Sequence, residues 1–283
     1  MIGSLQKAKK VPTDIKTIRE AVLATVVESR KKLTPAELEK RLVQNLGTRK
    51  TAIKTAIRKL VDDRELIYSY HYGCSFLEQS FNKPTRISPR VVIKPPDTKY
   101  RPESDEVVIN IQPGVSFGSG EHPTTRLALR AMEQVLFDSE FYRGQKDLPA
   151  LDIGTGSGVL AIAAAKLGVK RVVGVDVDPC SRAEAQQNVQ LNNLESRIEI
   201  HAQQVETIDK KFGLITANLR YPTLKRLSPC IAQLLEIGGA CIVSGLKTDE
   251  ESDLVRVYSQ SRLKCVWKAY EKDWVGLVFE RFP

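Results

Sequence analysis

The chain of 283 residues carries 43 Lys+Arg against 34 Asp+Glu, a net charge of +9, and 42% of it is apolar. That apolar share excludes a disordered chain, the length suggests two domains, and the longest apolar runs, such as VLAIAAA, are too short to span a bilayer. Five scattered cysteines without a CxxC pair and three scattered histidines point to neither a disulfide framework nor a metal site. The N-terminus, MIGSLQKAKK, is basic but has no apolar h-region, so no secretory signal is expected and the expected location is cytoplasmic.

The basic excess sits at one end. Residues 1–95 hold 20 Lys+Arg and 9 Asp+Glu, whereas the remainder holds 23 and 25. An anionic partner for the N-terminal part is therefore expected. Three helices are predicted there. The first places Ile15, Ile18, Val22 and Val26 on one face. The second opens on Thr34-Pro35-Ala36-Glu37, a capping box with Pro at the first helical position, and stops at Gly47. The third, from about Thr48, turns Ile53, Ile57, Leu60 and Val61 inward and Lys50, Lys54 and Arg58 outward. LIYSYHYGCSFLE then alternates around Gly73 and reads as a two-stranded wing. Three helices and a hairpin over residues 11–90 resemble a winged-helix domain, whose third helix often enters the DNA major groove. The same residues also suit a solvated face or a protein-docking module. The wing adds Tyr68, Tyr70 and Tyr72 but no Lys or Arg.

KPTRISPRVVIKPPDTKYRP, residues 83–102, has five prolines and many charges and reads as a linker with one short strand. From about Val107 strands alternate with helices, as in a mostly parallel sheet. A second domain is placed at 96–283. Its first distinctive stretch is PGVSFGSGEHPTT, residues 113–125, rich in Gly, Ser and Thr. Its His122 is read as packing at a helix start before Pro123.

ALDIGTGSGVLAIAAAKLG follows. Ala150 to Ile153 is a short strand, Gly154, Gly156 and Gly158 form the turn, and Val159 to Leu167 is a helix stopped by Gly168. Arg171 to Asp176 is a second strand ending in a carboxylate, 22 residues after Gly154. Strand, glycine turn, helix, strand and acid make the nucleotide-binding βαβ unit, in which glycines let backbone touch a ligand and the acid accepts ribose hydroxyl protons. The spacing is D-x-G-x-G-x-G from Asp152, not the dinucleotide GxGxxG, and it resembles the Rossmann-like S-adenosylmethionine-dependent methyltransferases, which makes Asp152, Gly154, Gly156 and Gly158 expected cofactor contacts. Asp178 is read as the cap of the helix from Pro179. FGLITAN is a strand ending at Asn218, at the carboxyl edge where ligands of parallel sheets sit. Asn218 is the candidate for holding a substrate amine or the cofactor. ACIVSG, the helical DEESDLVRVYSQS and the hairpin LKCVWKAYEKDWVGLVFERF complete the chain, and a reversing final hairpin is foreign to the dinucleotide folds.

PGVSFGSGEHPTTRLAL, LDIGTGSGVLAIAAAKLG, VVGVDVDP, ITANL, GGACIVSGL and KDWVGLVFER occur in this order and resemble the bacterial ribosomal protein L-eleven methyltransferase (PrmA) family over about Pro113 to Arg281. The resemblance implies an α/β fold: a Rossmann-like seven-stranded methyltransferase sheet, here with a small N-terminal winged-helix domain. It implies S-adenosylmethionine as cofactor, with contacts at Thr125, Gly154, Asp176 and Asn218 and with Phe117 and Gly118 nearby, and it makes 113–125 a lid over the glycine floor. The family's own docking domain is a different α/β domain, so the basic winged helix leaves the acceptor open. Lys247 in SGLK replaces a usual apolar residue and bears on the acceptor pocket. The leading expectation is N-methylation of protein amino groups, with Asn218 orienting the amine and no dedicated base. The alternatives are a nucleic-acid N-methyltransferase, on the loose likeness of Asn218-Leu-Arg-Tyr221 to Asn-Pro-Pro-Tyr, and a regulator that senses the cofactor without catalysis.

Overall fold

The computed structural model describes residues 14–29, 31–71, 73–112, Gly114, Gly118, 120–137 and 147–282. It divides into two compact units between Ser80 and Phe81.

In the first unit, α1 (Ile15–Glu28) is capped by the Asp14 carboxylate, which accepts from the Lys16 and Thr17 N–H groups, and it buries Ile18, Val22 and Val26. In α2 (Pro35–Leu46) the capping box is formed on both sides, and Gly47 takes the left-handed conformation (φ 65°) that closes the helix by donating its N–H to Val43. Burying two to four apolar side chains per helix is what holds such short helices in place, at about 1.5–3 kcal/mol each. α3 (Lys50–Asp62) buries Ile53, Ala56, Ile57 and Leu60, while Val61 is only half-buried. β1 (Leu66–His71) and β2 (Cys74–Gln79) pair antiparallel. Leu66 and Leu77 at the hairpin base join the helical core, and Tyr68 and Tyr70 further out are exposed. Tyr72 lies outside the described residues.

The second unit opens with a three-stranded sheet of β3 (Thr85–Arg86), β4 (Val91–Lys94) and β5 (Val107–Asn110), with β4 and β5 parallel. Two of these strands lie inside the expected linker, and residues 81–95 belong to the second unit. Prolines and charges suggested a linker, but Ile87, Val91 and Ile93 are buried in that unit's main core. The first unit therefore keeps 16 Lys+Arg and 9 Asp+Glu, a net +7, and the second +2.

After α4 (Pro123–Phe137) come β6 (Ala150–Ile153), α5 (Val159–Lys166), β7 (Val172–Val175), α6 (Pro179–Leu191) and β8 (Ile198–His201). They are followed by β9 (Phe212–Asn218), α7 (Tyr221–Leu234), β10 (Leu235–Lys247), α8 (Glu251–Gln260), β11 (Leu263–Glu271) and β12 (Trp274–Arg281). The seven strands order as β11-β12-β10-β9-β6-β7-β8. β12 alone runs antiparallel to its neighbours. This is the expected seven-stranded methyltransferase sheet. Two apolar cores cover its faces, one with α4 and α5 and the other with α7 and α8. α5 is apolar all round because residues 159–165 are all buried. Strand order reverses between β6 and β9, so a crevice opens at their carboxyl ends. Among the described residues no helix is long and apolar enough to cross a membrane.

Candidate active site

A cavity of about 760 Å³ lies at that crevice, bordered among others by Gly154, Gly156, Asp176, Asn218, His122 and Trp274. Its size falls in the range of small-molecule sites.

The glycine turn forms the floor. Gly154 (φ 69°) needs its conformation and its bare Cα, because a Cβ there would come within 2.5 Å of Leu219. The N–H groups of Gly154 and Thr155 both donate to the Val175 carbonyl, which ties the turn to β7. Asp176, at the end of β7, accepts from the Gly156 N–H (3.0 Å) and from the Asp178 N–H (3.0 Å). Its carboxylate is thus oriented at the cavity wall before any ligand arrives. Asp178 caps α6 through Cys180 and Ser181, as expected.

Asp152 is brought close but not into the cavity. It is buried under the turn, accepting from the hydroxyls of Thr155 (2.7 Å) and Thr216 (2.6 Å). Burial pushes its carboxyl up and these two hydroxyls oppose that shift. Its place is to lock β6 to β9 below the turn, so the expectation of a direct cofactor contact is revised to a support. Gly158 (φ 81°) sits at the start of α5, packed on Ala185. Gly118 (φ 117°) lies against Ser157, whose hydroxyl is 2.5 Å from where a Cβ would be. Phe117 falls outside the described residues.

The opposite end is built from distant segments. Asn218 ends β9, with Nδ2 3.4 Å from the hydroxyl of fully buried Thr125 and with a buried Oδ1 that has no partner among the described residues. Thr125 lies behind the cavity wall, which Thr124 forms at this level. Ser244 on β10 donates to the Thr124 carbonyl (3.0 Å), fixing the start of α4 to the sheet. His122 accepts at Nδ1 from the Thr124 N–H (3.3 Å) and stacks edge-on with Trp274 at 4.8 Å between centroids. Burial, and then the nearby Arg126 charge, push the pKa of its imidazole below the ordinary value. Arg126 in turn holds the carbonyls of Gly120 (3.0 Å) and Glu121 (2.6 Å) and pairs through Nε with Glu271 (2.8 Å).

His122 is more than a packing residue, since it forms cavity wall together with Trp274. Nothing local marks that pair, which the β10–β12 pairing and the start of α4 bring together. Lys247 is exposed and does not border the cavity, whereas its cross-strand partner Trp274 does. In the first unit Lys54 and Arg58 are exposed and have no ion-pair partner among the described residues, but Lys50 already pairs with buried Glu39 at 3.1 Å. Among the described residues no group of three or more His, Cys, Asp or Glu is placed to hold a metal.

The model of the ribosomal protein L11 methyltransferase (PrmA) family matches residues 77–282. The chain belongs to that family. A ribosomal protein L11 methyltransferase of Citrifermentans bemidjiense is 37% identical over 199 residues, 70% of this chain and 64% of the relative. One from Geobacter sulfurreducens is 38% identical over 196 residues, 69% and 62% of the two chains. This chain thus matches a little under two thirds of the length of these curated relatives. A solved structure of a ribosomal protein L11 methylase from Lactobacillus delbrueckii subsp. bulgaricus superposes with a TM-score of 0.63 at 30% identity, covering 72% of this chain and 100% of that one. The family match starts well before the motifs that reveal it in the sequence, and it takes in β3, β4 and β5.

Proposed function

We propose that the chain is an S-adenosylmethionine-dependent methyltransferase that N-methylates amino groups, lysine or N-terminal, of a protein, with a ribosomal protein as the substrate class. The relatives' names support the substrate class. The observation that carries the reading is Asn218. Asn218 borders the cavity at the carboxyl end of a central strand, and its Oδ1 is buried with no hydrogen-bond partner among the described residues. A buried acceptor left open costs about 1–3 kcal/mol unless a ligand donates to it, and an amine N–H is such a donor.

The residues fit the cofactor. The glycine turn gives bare backbone at Gly154 and Gly156, and Asp176 presents an oriented carboxylate for a ribose diol. S-adenosylmethionine, when bound, supplies a methyl group on a sulfonium. The chain's part is to align the amine and keep water out, and alignment alone is worth several kcal/mol. A lysine amine has a free pKa of about 10.4 and must be neutral to attack; the apolar walls favour that form by desolvation. Asn218 Oδ1 accepts one amine hydrogen and so aims the nitrogen lone pair, while His122 and Trp274 flank the same end of the cavity.

The first unit is read as a winged-helix docking module. Three helices and a hairpin support this, and so does a basic α3 face on which Lys54 and Arg58 have no ion-pair partner among the described residues, with Lys50 already engaged. Its anionic partner is a nucleic acid or an acidic protein surface met alongside the substrate. A ribosomal-protein substrate places the enzyme in the cytoplasm.

The test is to incubate the purified chain with methyl-labelled S-adenosylmethionine and bacterial ribosomal proteins, then treat the product with protease or nuclease. Label released by protease and recovered as N-methyl amino acid is the expected result. Label released by nuclease alone, or none, would overturn the reading.

A further inference from the structure

Three side chains on α6 carry the backbone that follows β5. Glu184, Asn188 and Asn192 are spaced four residues apart, and they meet positions 114, 112 and 110, spaced two apart. The Asn192 amide closes on both backbone groups of Asn110, accepting its N–H (3.0 Å) and donating to its carbonyl (2.7 Å). Asn188 Oδ1 accepts the Gln112 N–H (2.9 Å). The Glu184 carboxylate lies against Gly114, 2.4 Å from where a Cβ would sit, so a side chain at 114 would displace it. The match is metric: four helical residues rise about 6 Å and two extended residues about 6.6 Å. A helix can therefore serve as edge partner for a strand, supplying side-chain amides where a sheet would supply backbone.

One rung does more. Asn188 is 1% exposed, and its Nδ2 donates to the carbonyl of Ser157, inside the glycine turn, at 2.8 Å. Its amide therefore spans two segments: the strand leading to residues 113–122 and the turn that forms the cavity floor. Asn192, also buried, has no bond to the turn; its other partner is the Asn188 carbonyl (2.7 Å).

We infer that Asn188 is a positioning residue for cofactor binding, holding the glycine turn to the segment after β5 through the two ends of one buried amide, while Asn192 is a rung of the same ladder that carries only the strand. The inference rests on the glycine turn being the cofactor floor. Replacing Asn188 frees the Ser157 carbonyl, so the turn no longer waits in its binding conformation and the cost of ordering it falls on the ligand.

The experiment measures the S-adenosylmethionine Kd by calorimetry, and Tm, on the full-length chain. The variants are Asn188→Asp, Asn188→Leu and Asn192→Leu. Asn188→Asp keeps the acceptor for Gln112 and loses the donor to Ser157, so it reports the turn alone even where Asn188→Leu folds poorly. The expected result is a Kd raised about tenfold or more in both Asn188 variants, with Asn192→Leu lowering Tm but leaving Kd within about threefold. An unchanged Kd in Asn188→Asp overturns the inference, as does an equal rise in Asn192→Leu. A wild-type chain that does not bind S-adenosylmethionine overturns the cofactor reading itself.

Discussion

The two ends of the cavity are finished to different degrees. At the glycine-turn end the Asp176 carboxylate is already held by two backbone N–H groups, and the turn is tied to β7 and, through Asn188, to the strand segment before it. At the other end Asn218 keeps a buried oxygen with no partner among the described residues, and His122 and Trp274, edge-on to each other, border the same cavity. The first end is shaped to hold a ligand in one pose. The second is left one donor short, which is the arrangement expected where a second reactant must enter for the chemistry. Binding and transfer are thus assigned to different residues, and variants should separate them.

The largest expected effect is at the holding end. Asp176→Ala should weaken S-adenosylmethionine about 100-fold, the worth of one or two hydrogen bonds to a charged acceptor, as read by calorimetry. A change under threefold would mean the carboxylate does not face the ribose. Next is Gly245, which also borders the cavity. At φ 95°, its Cβ would come within 2.2 Å of the Leu219 carbonyl oxygen, which is backbone and cannot turn away. Gly245→Ala should cost about 2–4 kcal/mol in chemical denaturation, and full stability would show that the loops there are loosely packed.

Smaller effects sharpen the same picture. The folded His122 has its pKa pushed down. Its neutral form therefore contributes stability above its unfolded pKa of about 6.5, and this is lost as pH falls below that value. His122→Gln should flatten the acid limb of stability relative to wild type; parallel curves would contradict the burial of this ring. The smallest effect concerns the first unit. Binding to a short RNA or DNA duplex, followed by anisotropy, should weaken with salt, and the double change Lys54→Ala with Arg58→Ala should lower the log–log slope by about 2. Salt-insensitive binding, or none, would leave the basic face to a protein partner.

The holding end was legible in the sequence because it is local. Asp152 to Asp176 contains a strand, a turn, a helix and a second strand, and each residue's type follows from its place in that unit. The capping box at Thr34 and the cap at Asp178 were legible for the same reason. The transfer end was only half legible. Asn218 follows from its position at the end of a strand, but Thr125, His122 and Trp274 come from α4, the residue before it and β12, and only the sheet order brings them to the same cavity end. Asp152 looked like a ligand contact because the motif places it beside the glycines; its partner Thr216 is 64 residues on, and that bond draws it under the turn instead. β3 and β4 were hidden by prolines and charges at their ends, since the burial of Ile87, Val91 and Ile93 depends on helices far along the chain. The α6 ladder leaves no periodic apolar signal, because its rungs are amides and a carboxylate.

The division of labour between the two ends is tested most directly by Asn218→Ala, with the cofactor Kd and the single-turnover rate of methyl transfer to a ribosomal-protein substrate measured on the same preparation. The account predicts a rate lowered about 100-fold with the Kd within about tenfold, because the lost oxygen aims the amine. A Kd that rises in step with the loss of rate would place Asn218 with Asp176 as a residue for holding the cofactor and contradict the separation of the two ends.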